Sequence, residues 1–242
     1  MRNPALSMAA LVVLAACNPR FVADFEADTP GAPPAAQPPG PPDDQILIDD
    51  SNVRGAGVVI RVTDEPQLVA PGAPHRFMSL IHDPDPGLSS IASLRTAAMA
   101  TSTQPIFLQW AQVLDGGGQG TIYLFALPDR PTADVDVCIV FTGNDVVTLE
   151  CDVPDAPTAS VEVEGIDTHR QHVVLMRLDR SPRRAAIQVS QDGVTTASEV
   201  ITSMAVPAPV EGQRLVAQIE YDGQSDGAYR FNRFAVQELD PN

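Results

Sequence analysis

From Gln45 to the C-terminus, short runs of β-branched and aromatic residues alternate with Gly, Pro, Asn and Asp. No window sustains the three- to four-residue spacing of apolar positions that an amphipathic helix requires, whereas alternation with a period of two recurs. The pattern predicts an all-β domain. The predicted strands are Gln45–Ile48, Val58–Val62, Arg76–Ile81, Ile106–Leu114, Thr121–Leu127, Val135–Phe141, Val146–Val153, Ser160–Val163, His172–Asp179, Ala185–Ser190, Val200–Val206, Arg214–Tyr221 and Tyr229–Leu239.

This number of strands exceeds what one open sheet comfortably holds, so two packed antiparallel sheets are predicted. The segment Leu88–Ala100 is ambiguous, because its Ala and Met content is also compatible with a short helix. The predicted strands Ile106–Leu114 and Thr121–Leu127 flank the glycine-rich stretch Asp115–Gly120, which we interpret as a long hairpin turn. A phosphate-binding loop would need a Gly-Lys-Ser/Thr ending, which this stretch lacks.

A second hairpin is predicted around a two-residue loop, Asn144-Asp145. This register places Cys138 directly opposite Cys151, at a non-hydrogen-bonded pair, where the close approach of the two Cα atoms suits a disulfide. The alternative is two free, buried thiols. The register favours the Cys138–Cys151 disulfide.

The N-terminal apolar run Ala5–Ala16 follows a single positive charge at Arg2. It is too short to span a bilayer but has the length of a signal-peptide core. The run ends in Leu14-Ala-Ala-Cys17, which resembles the lipobox of bacterial lipoprotein signal peptides. The resemblance implies that residues 1–16 are a signal peptide, and that Cys17 is acylated and anchors the chain to a membrane. The residue after the cysteine is Asn18, and this position resembles that of lipoproteins that are exported to the outer membrane.

The stretch after Cys17 is rich in proline, with seven prolines between Pro30 and Pro42. Proline favours extended polyproline II structure, so residues 17–44 are predicted to be a disordered linker that holds the domain of residues 45–242 away from the lipid. Export also places Cys138 and Cys151 in a compartment where disulfides persist.

The chain carries a formal net charge of −16, with 31 acidic residues against 15 basic ones. Nucleic acid is excluded as a partner because its phosphates require a basic surface. All the basic residues are arginine, so Schiff-base chemistry on lysine is excluded too. An acidic protein lacks the polybasic patch that binds anionic lipid, so membrane attachment depends on the acyl chains.

The segment His172–Gly193 consists of an apolar strand, a short polar turn and a second strand that ends in Asp-Gly. It resembles a recurring hairpin of laminin-G and concanavalin A-like sandwiches. The strands Arg214–Tyr221 and Tyr229–Leu239 are similar to the end of that fold, where a final strand returns beside the first. The resemblance implies a jelly-roll-like sandwich that binds glycan or protein, but no binding residues of the family transfer by a matching motif.

The stretch Glu162-Val-Glu164-Gly-Ile-Asp167 places two carboxylates on one face of a strand, and a bulge at Gly165 would bring Asp167 round to them. It is similar to the Glu-x-Asp-x-x-Glu signature of concanavalin A-like glucanases, with the last two acids interchanged. The resemblance implies glycan hydrolysis by Glu162, Glu164 and Asp167. A solvated strand face is the alternative, and the single tryptophan, Trp110, weakens the case for a sugar cleft.

The remaining motifs give weaker indications of a metal site. The four histidines lack a recognised zinc-ligand spacing. Four aspartates offer oxygen ligands of the kind that calcium uses, although turns explain them equally well. These calcium candidates are Asp83, Asp85, Asp222 and Asp226.

Ser225 lies in a Gly-x-Ser-x-Gly pattern, but a strand follows it and no histidine comes after His172. A hydrolase nucleophile elbow is therefore rejected. The sequence favours a lipid-anchored protein of the cell envelope with a non-enzymatic β-sandwich that binds a glycan or a protein. The alternative functions are a glycan hydrolase of the same fold and a structural subunit of an envelope complex.

Overall fold

The structure is a computed structural model that describes residues 21–23, 25–32, 58–69, 71–82, 90–98, 104–125, 136–153, 157–202, 204, 214–223 and 227–238. Fourteen strands are found in these ranges, together with a short 3₁₀ helix at Pro66–Leu68. The strands are β1 (Phe21–Ala23), β2 (Val58–Asp64), β3 (Arg76–His82), β4 (Ser90–Ala98), β5 (Ile106–Asp115), β6 (Gly118–Phe125), β7 (Asp136–Gly143), β8 (Val146–Cys151), β9 (Ala159–Glu164), β10 (His172–Arg180), β11 (Arg183–Gln191), β12 (Val194–Thr202), β13 (Arg214–Gly223) and β14 (Ala228–Glu238).

The strands form two antiparallel sheets, as predicted. The eight-stranded sheet has the order β12-β11-β10-β5-β14-β3-β2, and β1 also pairs with β14. The six-stranded sheet has the order β4-β13-β6-β7-β8-β9. The fold is therefore an all-β, two-sheet sandwich. No helix in the described ranges is long and apolar enough to cross a membrane.

The core lies between the sheets and is built from the inward positions of alternating strands. On β8, every second residue is buried, including Val147 and Leu149. Large aromatic side chains of the eight-stranded sheet fill the middle, where Trp110 packs against Phe231 and Phe234 with ring centroids 6.4 and 6.0 Å apart. Burying such side chains supplies most of the free energy that holds the sheets together.

The hairpin of β7 and β8 has the predicted register. Gly143 pairs with Val146 and Val140 with Leu149 around the loop Asn144-Asp145, both of whose residues have positive φ. This conformation is the type I′ geometry that a two-residue hairpin loop favours. The register brings the Cα atoms of Cys138 and Cys151 to 4.3 Å, and the predicted disulfide joins them.

Strands β5 and β6 do not form a hairpin, so that prediction was wrong. Strand β5 pairs with β10 and β14, whereas β6 pairs with β13 and β7 in the opposite sheet. The glycine-rich stretch is thus a crossing between the two sheets. A Cβ atom on Gly120 would lie 2.7 Å from the ring of Tyr229, so the crossing requires glycine there to let the ring pack.

Three predicted elements differ from the structure or fall outside it. The ambiguous segment around residues 88–100 contains a strand, β4, rather than a helix. Strand β12 begins at Val194, six residues before the predicted start at Val200, because Asp192-Gly193 with positive φ closes a tight hairpin with β11. The predicted strand Gln45–Ile48 lies outside the described residues.

Part of the predicted linker belongs to the sandwich. Residues Phe21–Ala23 pair with Val236, Ala235 and Phe234 of β14, and Phe25 has no exposed surface. The prediction that residues 17–44 are a linker outside the domain is therefore wrong for residues 21–23 and 25–32, which pair with, pack in or hydrogen-bond to the sandwich. A strand of three residues is too short to show a period of two, so its pairing depends on tertiary contacts. The last strand also lies beside the first, as the resemblance implied.

Candidate functional site

The outward face of the six-stranded sheet carries the candidate site. Alternation turns Val140 and Thr142 of β7 towards the core, so Phe141 between them points away from it. The register then aligns side chains of five strands in one row on this face. From β13 to β9, the row consists of Glu220, Thr121, Phe141, Thr148 and Glu162.

A cavity of about 290 Å³ opens on this face at one end of the sheet. Its lining combines one aromatic ring, two apolar residues and four polar side chains. These residues are Gln119, Phe141, Gly143, Asn144, Val146, Thr148 and Glu162. We call this cavity the β6–β9 pocket. Such a mixture of one apolar platform with a few convergent polar groups is typical of sites for small polar ligands.

The turn at the mouth of the pocket is braced by the loop after β9. Asp145 accepts a hydrogen bond from the Thr168 backbone amide at 3.4 Å and from its hydroxyl at 3.3 Å. The amide of Ile166 donates to the Asp145 carbonyl oxygen at 3.2 Å, and Ile166 itself is buried. These bonds hold the Asn144-Asp145 turn, and with it the Asn144 side of the pocket, in place.

The face around the pocket is acidic. Carboxylates lie on it from β8, β9 and β13, namely Glu150, Glu162, Glu164, Glu220 and Asp222. Among the residues of this face whose side chains the structure describes, none is Arg or His. The pocket therefore favours neutral or cationic groups and disfavours anions.

The structure separates the three predicted catalytic acids. Glu162 lines the pocket, and Glu164 lies two residues further along the same exposed face of β9. Asp167 is in the loop beyond Gly165, which has a φ of 75°. Its carboxylate accepts a hydrogen bond from the His169 amide at 3.1 Å, and its own amide donates to the Gln191 side chain of the other sheet at 3.1 Å.

Asp167 is thus engaged in its own turn, towards the eight-stranded sheet. The expected bulge at Gly165 redirects the chain, but the contacts of Asp167 are with β11 and its own loop rather than with β9. Of the predicted trio, only Glu162 belongs to the pocket.

The calcium candidates are not assembled among the described residues. Asp222 is exposed at the end of β13, while Asp83, Asp85 and Asp226 lie outside the described ranges. No group of three or more His, Cys, Asp or Glu residues within those ranges is placed to hold a metal ion. Ser225 also lies outside the ranges, and the element that follows it is a strand, β14.

His172 belongs to a buried polar network instead of a metal site. Gln112 donates from Nε2 to Thr142 Oγ1 at 2.7 Å and to His172 Nε2 at 2.9 Å, and its Oε1 accepts from Trp110 at 2.8 Å and from the hydroxyl of Tyr229. His172 Nδ1 donates to the Arg170 carbonyl at 3.1 Å, which fixes the neutral tautomer. Burial lowers the pKa of His172 to about 4. The network joins the sheets inside the core and has no access to ligand.

Sequence reasoning missed most of the pocket. Gln119, Phe141, Asn144 and Thr148 were not recognised, although the predicted hairpin register already placed Phe141 opposite Thr148. The signal that identifies them is their outward alternation, combined with the neighbouring strands on either side. Those neighbours were unknown from the sequence, because β6 and β9 pair with this hairpin only in the folded sheet.

No protein-family model matches the chain, and no characterised protein matches it in sequence. Solved structures do resemble it. The endo-1,3-beta-glucanase of Streptomyces sioyaensis has 14% sequence identity and a TM-score of 0.53, and the match covers 99% of this chain and 100% of that one. The lectin UEA-II in complex with galactose has 10% identity and a TM-score of 0.52, over 92% of this chain and 100% of that one.

The endo-beta-1,4-glucuronan lyase of the fungus Trichoderma reesei has 13% identity and a TM-score of 0.50, over 92% of this chain and 96% of that one. Together these likenesses show that the fold is a concanavalin A-like sandwich. At such low identity they show the fold alone.

Proposed function

We propose that this protein is a lipid-anchored, non-enzymatic glycan-binding module of the cell envelope that holds its ligand in the β6–β9 pocket. The observation that carries the proposal is the pocket itself. It sets the Phe141 ring beside the polar side chains of Gln119, Asn144, Thr148 and Glu162, on the outward face of a sheet. An aromatic ring packs against the apolar face of a sugar, while amide, hydroxyl and carboxylate groups bond its hydroxyls.

The size of the pocket suits a small part of a glycan. At about 290 Å³ it lies at the lower end of the range for small-molecule sites, so it suits a sugar unit at a chain end more than a long segment of polymer. The similar structures include a lectin bound to galactose, a glucanase and a glucuronan lyase, so glycan recognition recurs on this fold.

The negative charge of this face disfavours anionic glycans as ligands. Glu162 in the pocket and the four carboxylates around it would repel a uronic acid or sulfated sugar. A neutral glycan, or one that carries a free amine, fits this charge. Because Glu162, Glu164 and Asp222 are solvent-exposed, this charge preference is expected to weaken as salt is added.

Hydrolysis is the second candidate function, and the proximity of Glu162 and Glu164 on β9 favours it. Their Cα atoms are roughly 7 Å apart along the strand, so side chains on this one face can place their carboxylates at the separation found in inverting glycosidases. Against it stands the position of Asp167 outside the pocket. Release of reducing sugar from a panel of neutral glycans, lost in Glu162→Gln and in Glu164→Gln, would establish the enzyme; an inactive wild-type protein would end that alternative.

The anchor is the remaining part of the proposal. Cys17, at the end of the signal-like segment, would carry the acyl chains and place the protein at the outer membrane. Metabolic labelling with a fatty acid tests this: label that is lost in Cys17→Ala supports the anchor, and label that survives the substitution contradicts it. Binding of the soluble Cys17→Ala protein to an array of immobilised glycans, compared with its Phe141→Ala variant, tests the pocket.

A further inference from the structure

One end of the sandwich is tied to the start of the chain. Residues Phe21–Ala23 pair with β14, and Phe25 is completely buried in the core. The guanidinium of Arg76 then donates to the carbonyl oxygens of Glu26 and Asp28, the latter at 2.7 Å. Within the described residues, the first element of the sandwich is β1, which starts at Phe21.

The next residues are also held. Gly31 donates to the Val62 carbonyl and Val62 to the Ala32 carbonyl, each at 2.8 Å. Most of the proline-rich stretch comes after this point, between Ala32 and the start of β2 at Val58. The described residues before it, up to Ala32, and after it, from Val58, both belong to the sandwich, so this stretch does not connect the lipid to the fold.

Only three residues separate Cys17 from the first strand, so four Cα–Cα steps lead from Cys17 to Phe21. A fully extended chain of that length spans at most about 14 Å. A linker formed by the proline-rich stretch would have allowed on the order of 40 Å. The lipid and the edge of β14 must therefore be close together.

The direction of β1 shows which end of the sandwich is close to the lipid. Strand β1 enters opposite Val236, which lies at the level of Leu108 on β5, and runs antiparallel to β14. The β6–β9 pocket lies at the opposite end of the strands, where β5 ends at Asp115. Gly143 of the pocket packs there against the Gly118 carbonyl, since a Cβ on Gly143 would be 3.3 Å from that oxygen.

The two ends are well separated along the strands. From Leu108 to Asp115 the chain advances by about 3.4 Å per residue, which places the pocket about 24 Å further from the entry point of β1. We infer that an acyl anchor on Cys17 seats the β1 end of the sandwich against the bilayer, so that the β6–β9 pocket lies at the end of the sandwich that is further from the membrane. This inference rests on the lipidation included in the proposed function.

The orientation has a consequence for the ligand. A pocket at the far end cannot reach sugar headgroups of the leaflet in which the anchor sits. The orientation favours a glycan that extends above that leaflet. The acidic face around the pocket agrees with this orientation, because it would be repelled by an anionic bilayer.

Energy transfer to a labelled bilayer tests the orientation. Two single-cysteine variants are each labelled with a donor dye. Ser181→Cys places the dye in the exposed turn between β10 and β11, at the β1 end. Gly117→Cys places it at the pocket end, at a position where a Cβ meets no atom within 4 Å. The introduced cysteine is the only reactive thiol once Cys17 is acylated and Cys138 and Cys151 are bonded. Each labelled, acylated protein is inserted into phosphatidylcholine vesicles that carry an acceptor on the headgroup.

We expect transfer from the Ser181→Cys dye to be severalfold stronger than from the Gly117→Cys dye. Equal transfer, or stronger transfer from Gly117→Cys, would overturn the orientation. Twenty Gly and Ser residues inserted between Asn18 and Phe21 should abolish the difference, and a difference that persisted would contradict the role of the short connection.

Mass spectrometry of the N-terminal peptide separates the two proposals. If Cys17 carries no acyl chain, the proposed anchor fails and the orientation with it, whereas glycan binding by the soluble protein is unaffected. If Cys17 is acylated and the two dyes report equal transfer, the orientation alone is wrong.

Discussion

Gln112 Nε2 and His172 Nε2 lie 2.9 Å apart in the middle of the core, so the histidine must be neutral to accept the amide proton. Burial lowers the pKa of His172 from 6.5 to about 4 in the folded protein. As the pH falls, His172 is therefore protonated in the unfolded chain at a higher pH than in the folded protein. Stability that is fully present above pH 6.5 is lost as the pH falls towards 4, by roughly 3 kcal/mol in total.

Urea denaturation between pH 7 and pH 4 measures this loss. The variant His172→Gln should show a shallower decline over that window, whereas His169→Gln, at an exposed position, should follow the wild type. A decline of the same steepness in His172→Gln would show that other groups cause the acid sensitivity.

The crossing between the sheets depends on Gly120. A methyl group there would meet the Tyr229 ring at 2.7 Å, so Gly120→Ala is expected to lower the free energy of unfolding by about 1–3 kcal/mol. Gly117→Ala is the matched control, because a Cβ at that position meets no atom within 4 Å and the effect should stay within about 0.5 kcal/mol. Equal stability of the two variants in urea would contradict the packing described.

The disulfide stabilises the β7–β8 hairpin at the end of its strands away from the Asn144-Asp145 turn. Its loop joins residues separated by 13 positions, so reduction should lower stability by about 3 kcal/mol in the chain-entropy model. Unfolding in urea with and without a reductant measures the loss. Two free thiols in the denatured, unreduced protein would show that the bond does not form.

Glu162 should set the charge preference of the pocket. Glu162→Gln is expected to raise the affinity for uronic acid oligosaccharides severalfold relative to their neutral counterparts, because one repelling charge is removed. Glu150→Gln, on the same face but outside the pocket lining, should change this ratio much less. Isothermal titration at two salt concentrations measures the ratio, and equal effects of the two substitutions would place the ligand elsewhere on the face.

The fold class and one hairpin could be predicted because local signals determine them. The turn Asn144-Asp145 sets the register of its two strands, and with it the Cys138–Cys151 disulfide. The crossing from β5 to β6 could not be predicted in the same way. A glycine-rich turn has the same sequence pattern whether its strands pair with one another or with strands far away in sequence. Only the folded structure shows that β5 pairs with β14 and β6 with β13.

The candidate site was predicted only in part. Glu162 could be recognised because two acids alternate on one strand, but Phe141 is one apolar residue among many in the sequence. Its outward position becomes visible only when β6 and β9 take their places beside the hairpin. The predicted role of residues 17–44 failed for a related reason, since the pairing of Phe21–Ala23 is with β14, at the other end of the chain.

Glycan binding by the Cys17→Ala protein and its Phe141→Ala variant tests the central claim most directly. The measurement is binding to an array of neutral, amine-bearing and anionic glycans, with Val194→Ala as a control at an exposed apolar position of the other sheet. We predict that the Cys17→Ala protein and its Val194→Ala variant bind neutral or amine-bearing glycans alike and that its Phe141→Ala variant loses this binding. Binding that survives in the Phe141→Ala variant, or a Cys17→Ala protein that binds no glycan, would contradict the account.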